Sequence, residues 1–174
     1  MKVLITGPQG SGKTTQMRIL ASDLGVCGID PGELIRDKAT EDSEVGRTIK
    51  TSLAKGEMIP NNIAGELLQK AIESCPNGFI TDGYPRNFEQ LAIYDPSFDK
   101  VFYLKLSDEE AVNRLTKRGR SDDTLELIVK RLREYHTRTQ KVLDHYQSLG
   151  KLITIDGSLA VEQVAKKIQE QLNG

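Results

Sequence analysis

The sequence predicts one doubly wound α/β domain in which five parallel strands alternate with helices, a phosphate-loop NTPase-type three-layer arrangement. Two observations carry this expectation. Short apolar runs alternate with helical patterns along the whole chain, and the first run leads straight into Gly7-Pro8-Gln9-Gly10-Ser11-Gly12-Lys13-Thr14, a complete G-x-x-x-x-G-K-[ST] loop. At 174 residues the chain is about one domain, long enough for a real core and too short for two.

Residues 2–6 read as a buried parallel strand. From Lys13 to Leu24, Met17, Leu20 and Leu24 share one helical face. Residues 25–30 form a short second strand, and Pro31-Gly32-Glu33 opens a helix, since Pro suits a first helical turn. A polar helix follows from Glu44 to Leu53, stopped near Gly56. A further helix runs to Glu73 from Asn61 or Asn62 as a cap. Residues 78–82 are the third strand, ending on Asp82, and 100–106 the fourth. Ser107 caps the next helix, with Glu110 completing a capping box. Gly119 breaks that helix. Asp122 or Asp123 caps a long one reaching Leu149, with Leu125, Val129, Leu132, Leu143 and Tyr146 as its apolar stripe. Residues 151–155 are the last strand, and a closing helix turns Val161, Val164, Ile168 and Leu172 to one side.

Lys plus Arg number 24 against 25 Asp plus Glu, a net charge of −1, which argues against a general nucleic-acid or membrane-surface binder. No run approaches the roughly 18 apolar residues of a membrane span, and a cytoplasmic location is expected. Cys27 and Cys75 lie far apart without a C-x-x-C companion, so they are expected to be small core residues, neither a zinc cluster nor a disulfide framework.

The glycines of the loop let backbone N–H groups curl around a triphosphate at the positive end of the following helix, and Lys13 adds a mobile charge. Thr14 or Thr15 offers a hydroxyl to Mg²⁺. Asp82, at a strand's carboxyl end, sits where an ion bridging phosphates belongs, unless it merely caps the helix beginning near Arg86. Arg36, Arg86, Arg114, Arg118, Arg120 and Arg131 stand at helix ends or loops beside presumed strand termini. Moving a phosphoryl group between two anions requires several such guanidiniums, each an always-charged bidentate fork.

Together Gly7 to Gln16, Asp82-Gly83-Tyr84-Pro85-Arg86 with Gln90, the pair Arg114 and Arg118, and Arg120-Ser121-Asp122-Asp123 with Arg131-Leu132 resemble an adenylate kinase over nearly the whole chain. The resemblance implies reversible transfer from MgATP to AMP giving two ADP, with Mg²⁺ and no zinc. It implies a core of residues 1–29 and 60–174, with an AMP-binding helical segment at 30–59. By the same resemblance Gly10, Ser11, Gly12, Lys13, Thr14, Thr15, Arg114 and Arg118 take ATP, with Arg114 lying against the adenine. Pro31, Gly32, Arg36, Glu57, Ile59, Gly83, Arg86, Gln90, Arg120 and Arg131 take AMP. Gln90 reads the AMP adenine edge, helped by the Ile59 carbonyl, and Arg36 and Arg86 grip its phosphate. Lys13, Arg86, Arg118, Arg120 and Arg131 carry the transfer, Asp82 orders the water around Mg²⁺, and Asp122 and Asp123 tether arginines or close the site. His136 and His145 are structural or surface residues, and a monomer is expected, with an oligomer left open.

The chain departs from that pattern at four places. Gln9 stands where the family has Pro, Thr14 where it has Gly, and Pro31 where Thr often lies beside the AMP base. Between Arg118 and Arg120 only Gly119 remains of the ATP-side lid, which implies loose selectivity for the donor base. A UMP/CMP kinase is the nearest rival, since Asn87 also follows the arginine there; Gln90 favours adenine. A non-catalytic nucleotide-binding regulator is the reading from another class.

Overall fold

A computed structural model describes residues 1–119 and 124–173. The elements run β1 (Lys2–Thr6), α1 (Lys13–Leu24), β2 (Cys27–Ile29), α2 (Pro31–Ala39), α3 (Glu44–Ala54), α4 (Asn61–Glu73) and β3 (Phe79–Asp82). They continue with α5 (Phe88–Ile93), β4 (Lys100–Lys105), α6 (Asp108–Arg118), α7 (Leu125–Ser148), β5 (Leu152–Asp156) and α8 (Val161–Asn173). The five strands make one all-parallel sheet in the order β2-β3-β1-β4-β5, as expected of an α/β domain of this kind.

β1 lies at the centre, and its period-two side chains feed both layers. Val3 and Ile5 point into a cluster with Met17 and Leu20 of α1, Phe102, and Ile168 of α8. Leu4 points the other way, to Leu68 of α4, Phe79, Phe98, Val101 and Tyr146 of α7. All three β1 side chains are fully buried, which is why this strand reads as a continuous apolar run. A third cluster, with Leu106, Ala111 and Leu115 against Ile128 and Leu132, fastens α6 to α7.

Several expectations about faces and caps are corrected. On α7 the buried stripe is Ile128, Leu132, Thr139, Val142, Leu143 and Tyr146, whereas Leu125 and Val129 are exposed at 62% and 41%. Ile128, one position from Val129, meets α6 instead. Leu24 and Val161 are likewise exposed, and Ala21 and Ala165 take the inward positions. Thr124 caps α7, its Oγ1 accepting from Leu127 N, while Asp122 and Asp123 lie outside the described residues. Asn87, not Asp82, caps the helix after the third strand. Asn61 opens α4 from inside the helix and accepts a bond from Asn87 Nδ2 at 3.0 Å.

The cysteines depart furthest from expectation. Cys27 on edge strand β2 and Cys75 just beyond α4 form a disulfide, with Cα atoms 5.8 Å apart. Forty-eight residues separate them in sequence, so spacing carried no signal. They meet because the connection through α2, α3 and α4 returns to pack α4 beside β2.

Candidate functional site

The loop between β1 and α1 sits where the sheet changes direction of winding, with β3 on one side of β1 and β4 on the other. Gly12 occupies the cap position of α1 at φ 86° with no side-chain cap, so the first amides of the helix are left for an anion. Gly10, at φ 84°, passes so close to α6 that a Cβ would stand 3.1 Å from the Ala111 carbonyl. Ser11 is buried, with its hydroxyl unpartnered. Lys13 Nζ folds back to the Pro8 carbonyl at 2.9 Å.

Because β3 pairs with β1, Ile5 and Asp82 are register partners, and the carboxylate emerges beside the loop. Thr14 Oγ1 donates to Asp82 Oδ2, whereas Thr15 is exposed on the neighbouring turn. Of the two threonines, Thr14 is the one whose hydroxyl meets Asp82. Burial raises the Asp82 carboxyl above the usual carboxylate value, against the Lys13 charge and the Thr14 bond. Burial also pushes the Lys13 ammonium down to about 8; Asp82 opposes this, and Arg86 and Arg118 add to it.

Lys13, Gly83, Arg86 and Arg131 line one cleft of about 100 Å³ together with Thr6, Gly7 and Gln9. Burial and the nearby Arg131 and Arg36 weaken the hold of Arg86 on its proton, while Asp82 and Asp30 strengthen it. Arg86 and Arg118 are thus close enough to act on Lys13, and Arg36 and Arg131 to act on Arg86. Both Arg118 and Arg131 have partners within the protein. Arg120 lies outside the described residues.

The Asp82–Gln90 turn is pinned on all sides. Arg86 Nε donates to Gly83 O at 2.9 Å, and Arg86 N to Gln90 Oε1 at 2.7 Å. Thr139 of α7 donates to Arg86 O at 3.0 Å. Gln90 is buried, and with Oε1 engaged its Nε2 amide is the group it has to offer. Ile59 is buried, Glu57 exposed, and Pro31 and Gly32 open α2 behind Asp30. A second, wider cleft of about 510 Å³ lies between α1 and α2, lined by Thr14, Thr15, Arg18, Asp30, Glu33 and Arg36. There Arg36 Nη2 stands 3.6 Å from Asp30 Oδ2.

Sequence reasoning passed over Asp30, Glu134, Tyr135, Arg138 and Thr139. Asp30 was read as the end of a strand, although it caps α2 as well as facing Arg36. The other four lie one turn and more beyond Arg131 and line the same cleft. Their i+3, i+4, i+7 and i+8 spacing from Arg131 was the available signal. The α7 helix also holds the connector after α3, with Lys130 Nζ donating to Lys55 O at 2.8 Å. His136 pairs with Asp108 at 2.7 Å on the surface and His145 packs edge-on against Phe88, both structural roles as expected.

The loop amides at the start of α1, with Lys13, Arg86 and Arg131 lining the same cleft, suit a polyphosphate whose charge must be neutralised during transfer. Fold and site together define a phosphoryl transferase of the phosphate-loop class. The family model for adenylate kinase matches residues 5–151. An adenylate kinase of Mycobacterium sp. (strain MCS) is 39% identical over 91% of this chain and 93% of its own length. Those of Prochlorococcus marinus (strain MIT 9211) and Bifidobacterium longum (strain NCC 2705) are 35% and 34% identical, covering 98% and 99% of this chain and 96% and 100% of theirs. The chain belongs to the adenylate kinase family. It is an enzyme of reversible phosphoryl transfer between ATP and AMP, and the pyrimidine-nucleotide rival is not favoured. Adenylate kinases use Mg²⁺ with ATP as a general property. Among the described residues no helix is long and apolar enough to cross a membrane.

Proposed function

We propose that transfer takes place in the cleft shared by Lys13, Arg86 and Arg131, and that convergence is the observation that carries the reading. The donor triphosphate lies on the amides of Gly10 to Thr15, with Lys13 swinging from the Pro8 carbonyl to its outer phosphates. The AMP phosphate is held by Arg36 and Arg86, and its base lies toward Gln90 Nε2 and the Ile59 carbonyl. Arg118, Arg120 and Arg131 stabilise charge on the phosphoryl group in flight. No general base is required, since the acceptor is already an anionic nucleophile held in line.

Thr14 and Asp82 fit a hydrated divalent cation: the carboxylate is buried, already shares the threonine hydroxyl, and gains from a positive neighbour. When bound, Mg²⁺ supplies neutralisation of the phosphate oxygens. The helical segment 30–59 closes over AMP, and donors other than ATP are accepted because Gly119 alone replaces a lid. We place the enzyme in the cytoplasm, as a monomer, where its nucleotides are. The test is a coupled assay with MgATP and AMP, UMP or CMP in parallel, together with ADP alone. Turnover with AMP and disproportionation of ADP are expected; turnover only with UMP or CMP would show the acceptor pocket misread.

A further inference from the structure

The capping box expected at the start of α6 is only half made, and the unmade half is informative. Ser107 Oγ accepts from Glu110 N, but the Glu110 carboxylate turns forward along the helix and takes Arg114 Nε–H at 2.7 Å. The remaining edge of that guanidinium is spent as well. Nη1 donates to Gly157 O at 2.9 Å and more loosely to Gly10 O at 3.4 Å, and Nη2 donates to Ser158 O at 3.2 Å. A guanidinium has five N–H donors in one plane; four are therefore committed inside the protein.

The acceptors come from three separate parts of the fold: the phosphate loop, α6 and the turn after β5. Each is itself held. Gly10 is pressed against Ala111, and the turn is closed by Asp156 Oδ1, which accepts from Ser158 N at 2.9 Å and Ser158 Oγ at 2.7 Å. A guanidinium with four of its five donors spent along its edge offers a ligand chiefly its flat faces. With a carboxylate at its Nε it is also a poor partner for phosphate, unlike the arginines of the transfer cleft.

We propose that Glu110 is a positioning residue of the donor-base site: by fixing the Nε edge of Arg114 it makes that side chain present a face, not hydrogen-bond donors, to the base of the nucleoside triphosphate. This rests on the reading of Arg114 as the residue that lies against the donor base. A face accepts any planar base, whereas an N–H edge would discriminate between acceptor patterns. Donor tolerance then has a cause in the chain's own residues besides the shortened lid.

The experiment is steady-state kinetics of R114A, E110A and E110Q with ATP, GTP and CTP as donors and AMP as acceptor, with thermal melts to establish folding. E110A should raise KM for all three donors by a similar factor, on the order of 5-fold for a lost stacking surface. Its kcat and its KM for AMP should stay near those of the parent. E110Q keeps an oxygen for Nε–H and should recover most of the donor affinity. R114A should lose at least as much as E110A. Donor KM unchanged in E110A while R114A is impaired would overturn the proposal alone; no effect in R114A would overturn the reading of Arg114 beneath it. A loss in E110A confined to one donor, or shared equally with AMP, would also overturn it, pointing to edge recognition or to general disorder of α6.

Discussion

Lys13, proposed above to meet the outer phosphates, would tie binding to pH. Its ordinary value of 10.5 falls to about 8, because burial disfavours the charged form more than Asp82 supports it. The protonated form is the one that binds triphosphate, so kcat/KM for MgATP, which reports the free enzyme, should fall as pH rises through about 8. The limb should move to higher pH in kcat, since bound phosphate restores the proton's value. A pH profile that stays flat to pH 10 would show that the ammonium is not held in this way. The sign for stability is the opposite one. Between about 8 and 10.5 the unfolded chain keeps the proton that the folded chain has lost, so this residue makes stability rise with pH there. Thr139, buried on α7, acts through another residue by holding the Arg86 carbonyl. Thr139→Val preserves volume but leaves that carbonyl without its bond, and should cost about 1–3 kcal/mol in urea unfolding.

Elements bring these residues together, and here the disulfide matters most. It ties β2 to the end of α4 and so closes the excursion that contains α2 and α3, the helices proposed above to close over AMP. Restricting a loop of that length in the unfolded chain stabilises by about 4 kcal/mol in the chain-entropy description. Reduction, or Cys75→Ser, should lower the urea midpoint accordingly, and equal midpoints in oxidised and reduced protein would show that the bond contributes nothing. Such bonds persist mainly in oxidising compartments or in hyperthermophiles, so the same titration under a cytosolic thiol poise bears on the proposed location. Helix α7 is the other organising element. Over 24 residues it buries one face against the sheet and α6, and turns Arg131, Glu134, Tyr135 and Arg138 into the cleft. It also reaches the α3 connector through Lys130. Its amphipathic period was legible, but its phase was not. Leu125 and Val129 are as apolar as Ile128, and only the position of α6 decides which of them is covered.

At the scale of the whole molecule, the function follows from a sheet order that puts β3 beside β1. That order sets Asp82 next to the loop threonine and aims the arginine turn at the same cleft. Gly119 ends α6 in a left-handed conformation at φ 64°, and the proposed loss of the lid at this point bears on donor choice. Rates with GTP and CTP within about tenfold of ATP, roughly 1.4 kcal/mol of discrimination, are expected; a strong ATP preference would show that something other than a lid selects the base.

The kind and order of the elements, the phosphate loop and the place of Asp82 at the end of a strand were legible in the sequence alone. Those features are local: a strand buried on both faces must be apolar throughout, and a loop that wraps phosphate must contain glycine at close approaches. Pairings between distant parts had no local cause and were decided only by the tertiary structure. The disulfide, the exposed turn of α7, the Asp30 contact with Arg36, the Thr139 tether and the forward turn of Glu110 toward Arg114 each depend on which surface the crossover connections bring opposite. Periodicity along one element can say that a face exists, but only the neighbouring element determines what that face meets.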